Sequence, residues 1–126
     1  MGRSTTAPDP RPAVTAGDPA LVTGGRCAAC SYPTPELLDR CPDCGGPVGA
    51  ACFGPEATVF SSTTVHIGPA DLEPPYTLAY VDFDDGPRLL VHVADDGRPR
   101  PASGQRVRLL GVNRRGDPLV TAVRPS

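Results

Sequence analysis

Four of the five cysteines lie in one short stretch, RCAACSYPTPELLDRCPDCGG, Arg26 to Gly46, with the spacing Cys27-x2-Cys30-x10-Cys41-x2-Cys44. Zinc prefers soft thiolates in a tetrahedron, and structural sites close the shell with four protein ligands. A Cys-x-x-Cys turn sets two sulfurs on one side of an ion. Gly24 and Gly25 before the first pair, and Gly45 and Gly46 after the second, suit two tight turns. A structural zinc held by Cys27, Cys30, Cys41 and Cys44 is therefore the expected cofactor. It would contribute about 10–16 kcal/mol of apparent binding free energy at neutral pH, ample for some thirty residues without a core. Catalytic zinc keeps a position open, which four cysteines deny it. A redox dithiol is the other use of Cys-x-x-Cys, but two such pairs at ribbon spacing favour metal.

The other residues with chemical potential have plainer readings. Cys52 reads as a small apolar residue at the seam between the cysteine segment and the barrel strands, ahead of the rival reading as a nucleophile. His66 and His92, the only histidines, fall near strand ends, and no Ser, Cys or carboxylate pattern around them makes a triad. Asp82, Asp84, Asp85 and Gly86 lack the spaced ligands and distal Glu of a calcium loop and read as a hairpin turn. No catalytic residue is expected. Arg98, Arg100, Arg106, Arg108, Arg114, Arg115 and Arg124 stand against Asp117 alone in the last thirty residues. That end is locally basic, either as a solvated face or as a surface for phosphate or an acidic partner.

Composition narrows the function classes. The chain has 126 residues and a formal net charge of −2; four thiolates on a divalent ion would take it to about −4. That opposes a nucleic-acid binder, whose domains are usually basic. Aromatics are 5%, few for the stacking that single-stranded nucleic acid exploits, and most of Phe60, Tyr76, Tyr80 and Phe83 are expected in the core. All twelve basic residues are Arg, which fits the codon usage of a GC-rich bacterial genome. No stretch approaches the about 18 apolar residues of a membrane helix, and no signal-peptide core precedes the cysteines. The expected compartment is the reducing cytoplasm.

The chain divides into three stretches. Residues 1–20, rich in Pro and small polar residues, read as a disordered leader. Residues 21–53 form the cysteine segment, a rubredoxin-like zinc ribbon, in which PTPELLDR is expected to make one helical turn with Thr34 as N-cap and Pro35 as its first residue. Residues 54–126 carry strands expected at Ala57–His66, Tyr76–Phe83, Arg88–Val93, Gln105–Val112 and Leu119–Pro125. With 14 glycines and 17 prolines in the chain and no helix-period segment, this is a small mostly-β protein. Five strands over about seventy residues fit an OB-fold barrel, although periodicity alone equally allows an SH3-like one.

A cysteine ribbon followed directly by such a barrel resembles the zinc-ribbon/OB-fold proteins of the DUF35, or acyl-CoA-associated, family. The matching stretches are CAAC with the following YP, RCPDCGG, GPEATVFSSTTVH, the PPYTLAYVDFDDGPRLLVHV run, the step from Gly104 to Val107, and the terminal VRP. The resemblance covers about Gly24 to Pro125. It implies an accessory subunit, not itself an enzyme, that docks on a thiolase-like or ketosynthase-like enzyme and helps it handle acyl-CoA at the shared interface. Cys27, Cys30, Cys41 and Cys44 match the family's zinc positions; no CoA-contacting residue carries over. The chain departs from the family in its Pro-rich leader, where members commonly have helices. Near the end of the ribbon it offers Phe53 where an aromatic, often Trp, is usual. A single-stranded nucleic-acid-binding ribbon and barrel is the rival reading.

Overall fold

The computed structural model describes residues 13–68 and 74–123. Nine strands make two sheets: β1 (Ala13–Val14), β2 (Val22–Cys27), β3 (Pro33–Thr34) and β4 (Val48–Phe53) in the first, and β5 (Glu56–Val65), β6 (Tyr76–Phe83), β7 (Arg88–Val93), β8 (Arg106–Val112) and β9 (Pro118–Ala122) in the second.

The first sheet is built around β2, which pairs antiparallel with β1, β3 and β4. Its glycines explain how three strands crowd one. A Cβ on Gly24 would sit 2.3 Å from the Thr34 carbonyl oxygen, and one on Gly25 would meet the side chains of Val48 and Thr34 at 2.5 and 2.8 Å. The helical turn expected at Thr34 is absent. Pro33–Thr34 pairs with Gly25 and Arg26, and the buried Thr34 hydroxyl donates to the Glu36 carbonyl at 2.6 Å rather than capping amides. A segment this short cannot offset the cost of helix nucleation, and an adjacent glycine strand offers it pairing instead. The disordered leader expected over residues 1–20 is corrected only for its last part, residues 13–20. Residues 1–12 lie outside the described residues, but Ala13–Val14 pairs with β2 and Ala20 is buried against the core.

The second sheet closes on itself in the order β5-β6-β7-β9-β8. All neighbours are antiparallel except β7 and β9, which run parallel. This Greek-key closure is that of an OB-fold and removes the SH3-like alternative. Alternate residues point inward, and branched side chains fill the interior: Val59, Val81, Val91, Val107 and Val120 are essentially inaccessible. Bulges between Val59 and Ser61 and between Leu109 and Gly111 bend the two strands that must curve most. The Asp84–Gly86 hairpin turn is formed as expected, with Asp85 in the left-handed region and the Gly86 amide donating to the Phe83 carbonyl at 2.8 Å. Of the terminal VRP, Val123 is described and Arg124 and Pro125 lie outside the described residues.

One aromatic joins the two sheets. Phe53, the last residue of β4, is buried with Ala20, Val22 and the barrel interior. A Cβ at Gly86 would lie 2.9 Å from its ring, so the barrel's hairpin turn packs directly on it.

Candidate metal centre and its surroundings

The four cysteines come together as two copies of one turn. In the first, the Cys27 amide donates to the Tyr32 carbonyl at 3.0 Å and the Ser31 amide to the Cys27 carbonyl at 2.9 Å. In the second, the Cys41 amide donates to the Gly46 carbonyl at 2.8 Å and the Gly45 amide to the Cys41 carbonyl at 2.9 Å. Each turn needs a residue with positive φ after its second cysteine; Ser31 supplies 69° and Gly45 supplies 79°. The leading sulfur of each pair accepts amide hydrogens, Cys27 Sγ from Ala29 and Cys30 and Cys41 Sγ from Asp43, at 3.3–3.4 Å. Gly46 is confined beside the centre, where a Cβ would press within 3.3 Å of the sulfurs of Cys27 and Cys44.

The sulfur atoms lie within 4.8 Å of one another, with Cys27 to Cys44 at 3.4 Å and Cys30 to Cys41 at 3.7 Å. Metal–sulfur bonds of about 2.3 Å in a tetrahedron put sulfurs about 3.8 Å apart, so the cluster has the size of a filled thiolate shell. Cys27 and Cys41 are buried while Cys30 and Cys44 reach the surface. The electrostatics point to a cation. Amides of Cys30 and Ala29, with help from the Cys44 and Cys30 thiols, lower the Cys27 pKa to about 6. Cys30 also accepts an amide, from Tyr32, yet desolvation and the crowding thiols of Cys44, Cys27 and Cys41 raise it to about 12. Cys44 is likewise raised, despite the Gly46 amide, chiefly by Cys27. One thiolate forms readily; four together need a positive ion among them.

Two arginines brace the turns, and their regularity was there to be read in the repeat Arg-Cys-x-x-Cys. Arg26 Nη1 donates to the Ser31 carbonyl at 2.8 Å, and Arg40 Nη1 to the Gly45 carbonyl at 3.3 Å. Arg26 does more. Its other terminal nitrogen donates to the Asp85 carbonyl in the barrel's hairpin turn, and its guanidinium lies 5.4 Å from the Phe53 ring centre. The residue before the first cysteine thereby ties the cysteine turn to the barrel.

Cys52 is not at the seam. On β4 the alternation turns Phe53 toward the barrel and Cys52 outward, where it is exposed. His66 is exposed just after β5. His92 is half-buried on β7, 3.4 Å from the Asp117 carboxylate and tilted against the Tyr76 ring at 5.6 Å between centres. Burial lowers its pKa, which Asp117 offsets in part and Arg115 reinforces.

The C-terminal arginines do not form one basic end. Arg106 makes a two-pronged pair with Asp84 at 2.6 and 2.8 Å and reaches Glu56 at 3.2 Å; Arg108 approaches Glu56 at 3.8 Å. These contacts lower the Asp84 pKa and raise that of Arg106. Arg98, Arg100 and Arg114 instead border a hollow of about 520 Å³ between the 94–101 loop and the start of β6. The aromatics also differ from expectation. Phe83 is buried, but Phe60 and Tyr80 are 50% and 48% exposed on the outer face of β5 and β6. The Arg88 guanidinium, held by Asp82 at 2.7 Å, lies 3.6 Å from the Phe60 ring centre and covers it.

Residues 53–112 match the family described as the C-terminal OB-fold domain of ChsH2. Among solved structures, the chain is similar to one described as an Ltp2-ChsH2(DUF35) aldolase, with 24% identity and a TM-score of 0.65 over 79% of this chain and 83% of that one. This likeness shows a shared fold. No curated protein matches by sequence.

Proposed function

We propose that the chain, whose residues 53–112 match the C-terminal OB-fold domain of ChsH2, is a DUF35-type, non-catalytic zinc-ribbon/OB-fold subunit. It docks on a thiolase-like or ketosynthase-like enzyme and supports that enzyme's handling of acyl-CoA. The observation that carries the reading is the match of residues 53–112 to the ChsH2 barrel, in a fold that recurs in an assembly named for two chains and an aldolase activity. The metal is zinc, held by Cys27, Cys30, Cys41 and Cys44 in a closed shell whose work is structural: these residues fix the two turns relative to each other, and Arg26 and Phe53 pass that rigidity to the barrel. The setting is the reducing cytoplasm, where free thiols load metal rather than oxidise. A closed thiolate shell leaves no position for substrate, which supports an accessory role over a catalytic one. The exposed Phe60 and Tyr80 are what favours single-stranded nucleic acid as a second reading. The cover of Arg88 over Phe60 and the net negative charge weigh against it.

Copurification from the native host is the test. A stable complex with a thiolase-like enzyme, whose turnover of acyl-CoA falls when this chain is removed, is the expected result. Elution alone, with the enzyme equally active in its absence, overturns the reading. Salt-sensitive binding of a single-stranded oligonucleotide would replace it with the second.

A further inference from the structure

The arginines divide into a neutralised group and an unneutralised one, and the second borders the hollow between the 94–101 loop and the start of β6. Arg106 and Arg108 direct their charge at Glu56 and Asp84. At the hollow, Arg98 is partly committed: its Nη1 donates to the Ala122 carbonyl at 2.6 Å and its Nε lies 3.7 Å from Asp96. Asp96 in turn accepts from the Thr121 hydroxyl at 2.8 Å and the Arg98 amide at 3.1 Å, which lowers its pKa and occupies its oxygens within the loop. Arg100 makes a long 3.4 Å contact to the Ser62 carbonyl. Arg100 and Arg114 form no ion pair with a carboxylate among the described residues. Against these two cations stands the exposed Asp95, so among the described residues the hollow keeps a surplus of positive charge.

Neutral donors face the same space. Thr64 and Thr77 stand paired across β5 and β6 with their hydroxyl oxygens 3.5 Å apart. Asn113 commits its carbonyl oxygen to the amides of Arg115 and Asp117 at 2.9 and 3.0 Å, which leaves its amide NH2 to donate. Planar guanidiniums beside hydroxyl and amide donors suit tetrahedral oxyanions, and about 520 Å³ lies within the usual size of a ligand pocket.

We propose that this hollow is a binding site for a phosphate or diphosphate ester, with Arg100 and Arg114 as the anion-binding side chains and Arg98 as the strut that holds the loop over it. The site deepens the acyl-CoA reading, since CoA carries such groups, but its anion chemistry stands apart from that reading. The test titrates the full-length, zinc-loaded chain separately with inorganic pyrophosphate and with CoA, followed by backbone amide NMR. The ribbon amides serve as an internal check that the metal stays in place. Pyrophosphate is expected to shift the amides of Thr64, Thr77 and Asn113. Arg114→Gln and Arg100→Gln should each weaken it about tenfold, as loss of one charge-assisted hydrogen bond would. Arg108→Gln should leave it unchanged. CoA competing for the same amides supports both the site and the acyl-CoA reading. Pyrophosphate binding there while CoA fails to bind supports the site and removes the acyl-CoA reading. CoA binding elsewhere, with neither variant weakening it, overturns the site and leaves that reading standing. If neither compound shifts the amides around the hollow, the proposal is wrong.

Discussion

The ribbon and the barrel are held together by different physics. The barrel buries valines from every strand in one dry interior and closes its own edges, so apolar burial suffices. The ribbon buries apolar residues only where it meets the barrel, at Ala20, Val22 and Phe53. Away from that contact its buried side chains are Cys27, Cys41 and Thr34. A sheet so thin cannot supply the stability of a core and needs a cross-link. The lesson is a division of labour. The barrel can tolerate change around the cysteines, whereas the far half of the ribbon has only the four-cysteine cluster in place of a core.

Removing a thiolate is the largest expected blow to this comparison. Cys41→Ser, or a strong chelator, should abolish hydrogen-exchange protection over residues 24–48 while β6 and β7 keep theirs. Metal content should fall to near zero in the same sample. Loss of protection throughout would mean that the barrel is not independent. Next comes the junction. Phe53→Ala should cost about 3–5 kcal/mol and lower the melting temperature by more than about 12 °C. Its metal content should stay at wild-type stoichiometry, because the ring is buried with the barrel interior and the hairpin turn at Gly86. A variant that lost both would show that the ribbon cannot fold without the barrel's support.

The smallest effect separates the two regions by pH. Burial keeps the folded His92 pKa below its ordinary 6.5, so the unfolded chain takes up a proton first. The stability contributed by neutral His92 is fully present above 6.5 and is lost as pH falls through 6.5 toward the lower folded value. Thermal melts from pH 7.5 to 5 should therefore show a slight barrel destabilisation that His92→Gln removes. Metal release from the ribbon over the same range, driven by thiolate protonation, should be identical in both proteins. A His92→Gln variant with an unchanged pH slope would assign the whole response to the ribbon.

Much of this was legible from residue types and spacing. The cysteine pattern marked the centre because metal geometry constrains ligands that lie close in sequence. Period-two alternation marked the barrel strands to within one or two residues at most ends because each strand has one buried face. The repeat of Arg before each Cys-x-x-Cys was equally visible and went unread, since its meaning lies in where carbonyls turn. The failures share a cause. Thr34 left its expected helix for a strand because a glycine strand lay beside it. Ala13 and Val14 were ordered by the same β2. Cys52 pointed outward because Phe53 claimed the inward position.

By itself, then, the sequence determined which four cysteines could share a metal and which segments of the barrel are strands. Tertiary structure alone decided that β7 and β9 run parallel to close the barrel. It also decided that Phe53 and Gly86 weld the two sheets. And it parted the C-terminal arginines into a group paired with Glu56 and Asp84 and a group left facing a hollow. The physical reason is range. Ligand spacing and side-chain alternation are set within a few residues, but an arginine's partner is whatever carboxylate the fold carries to it. Asp84 is 22 positions from Arg106 and Glu56 is 50 positions away, and nothing local to Arg106 names either.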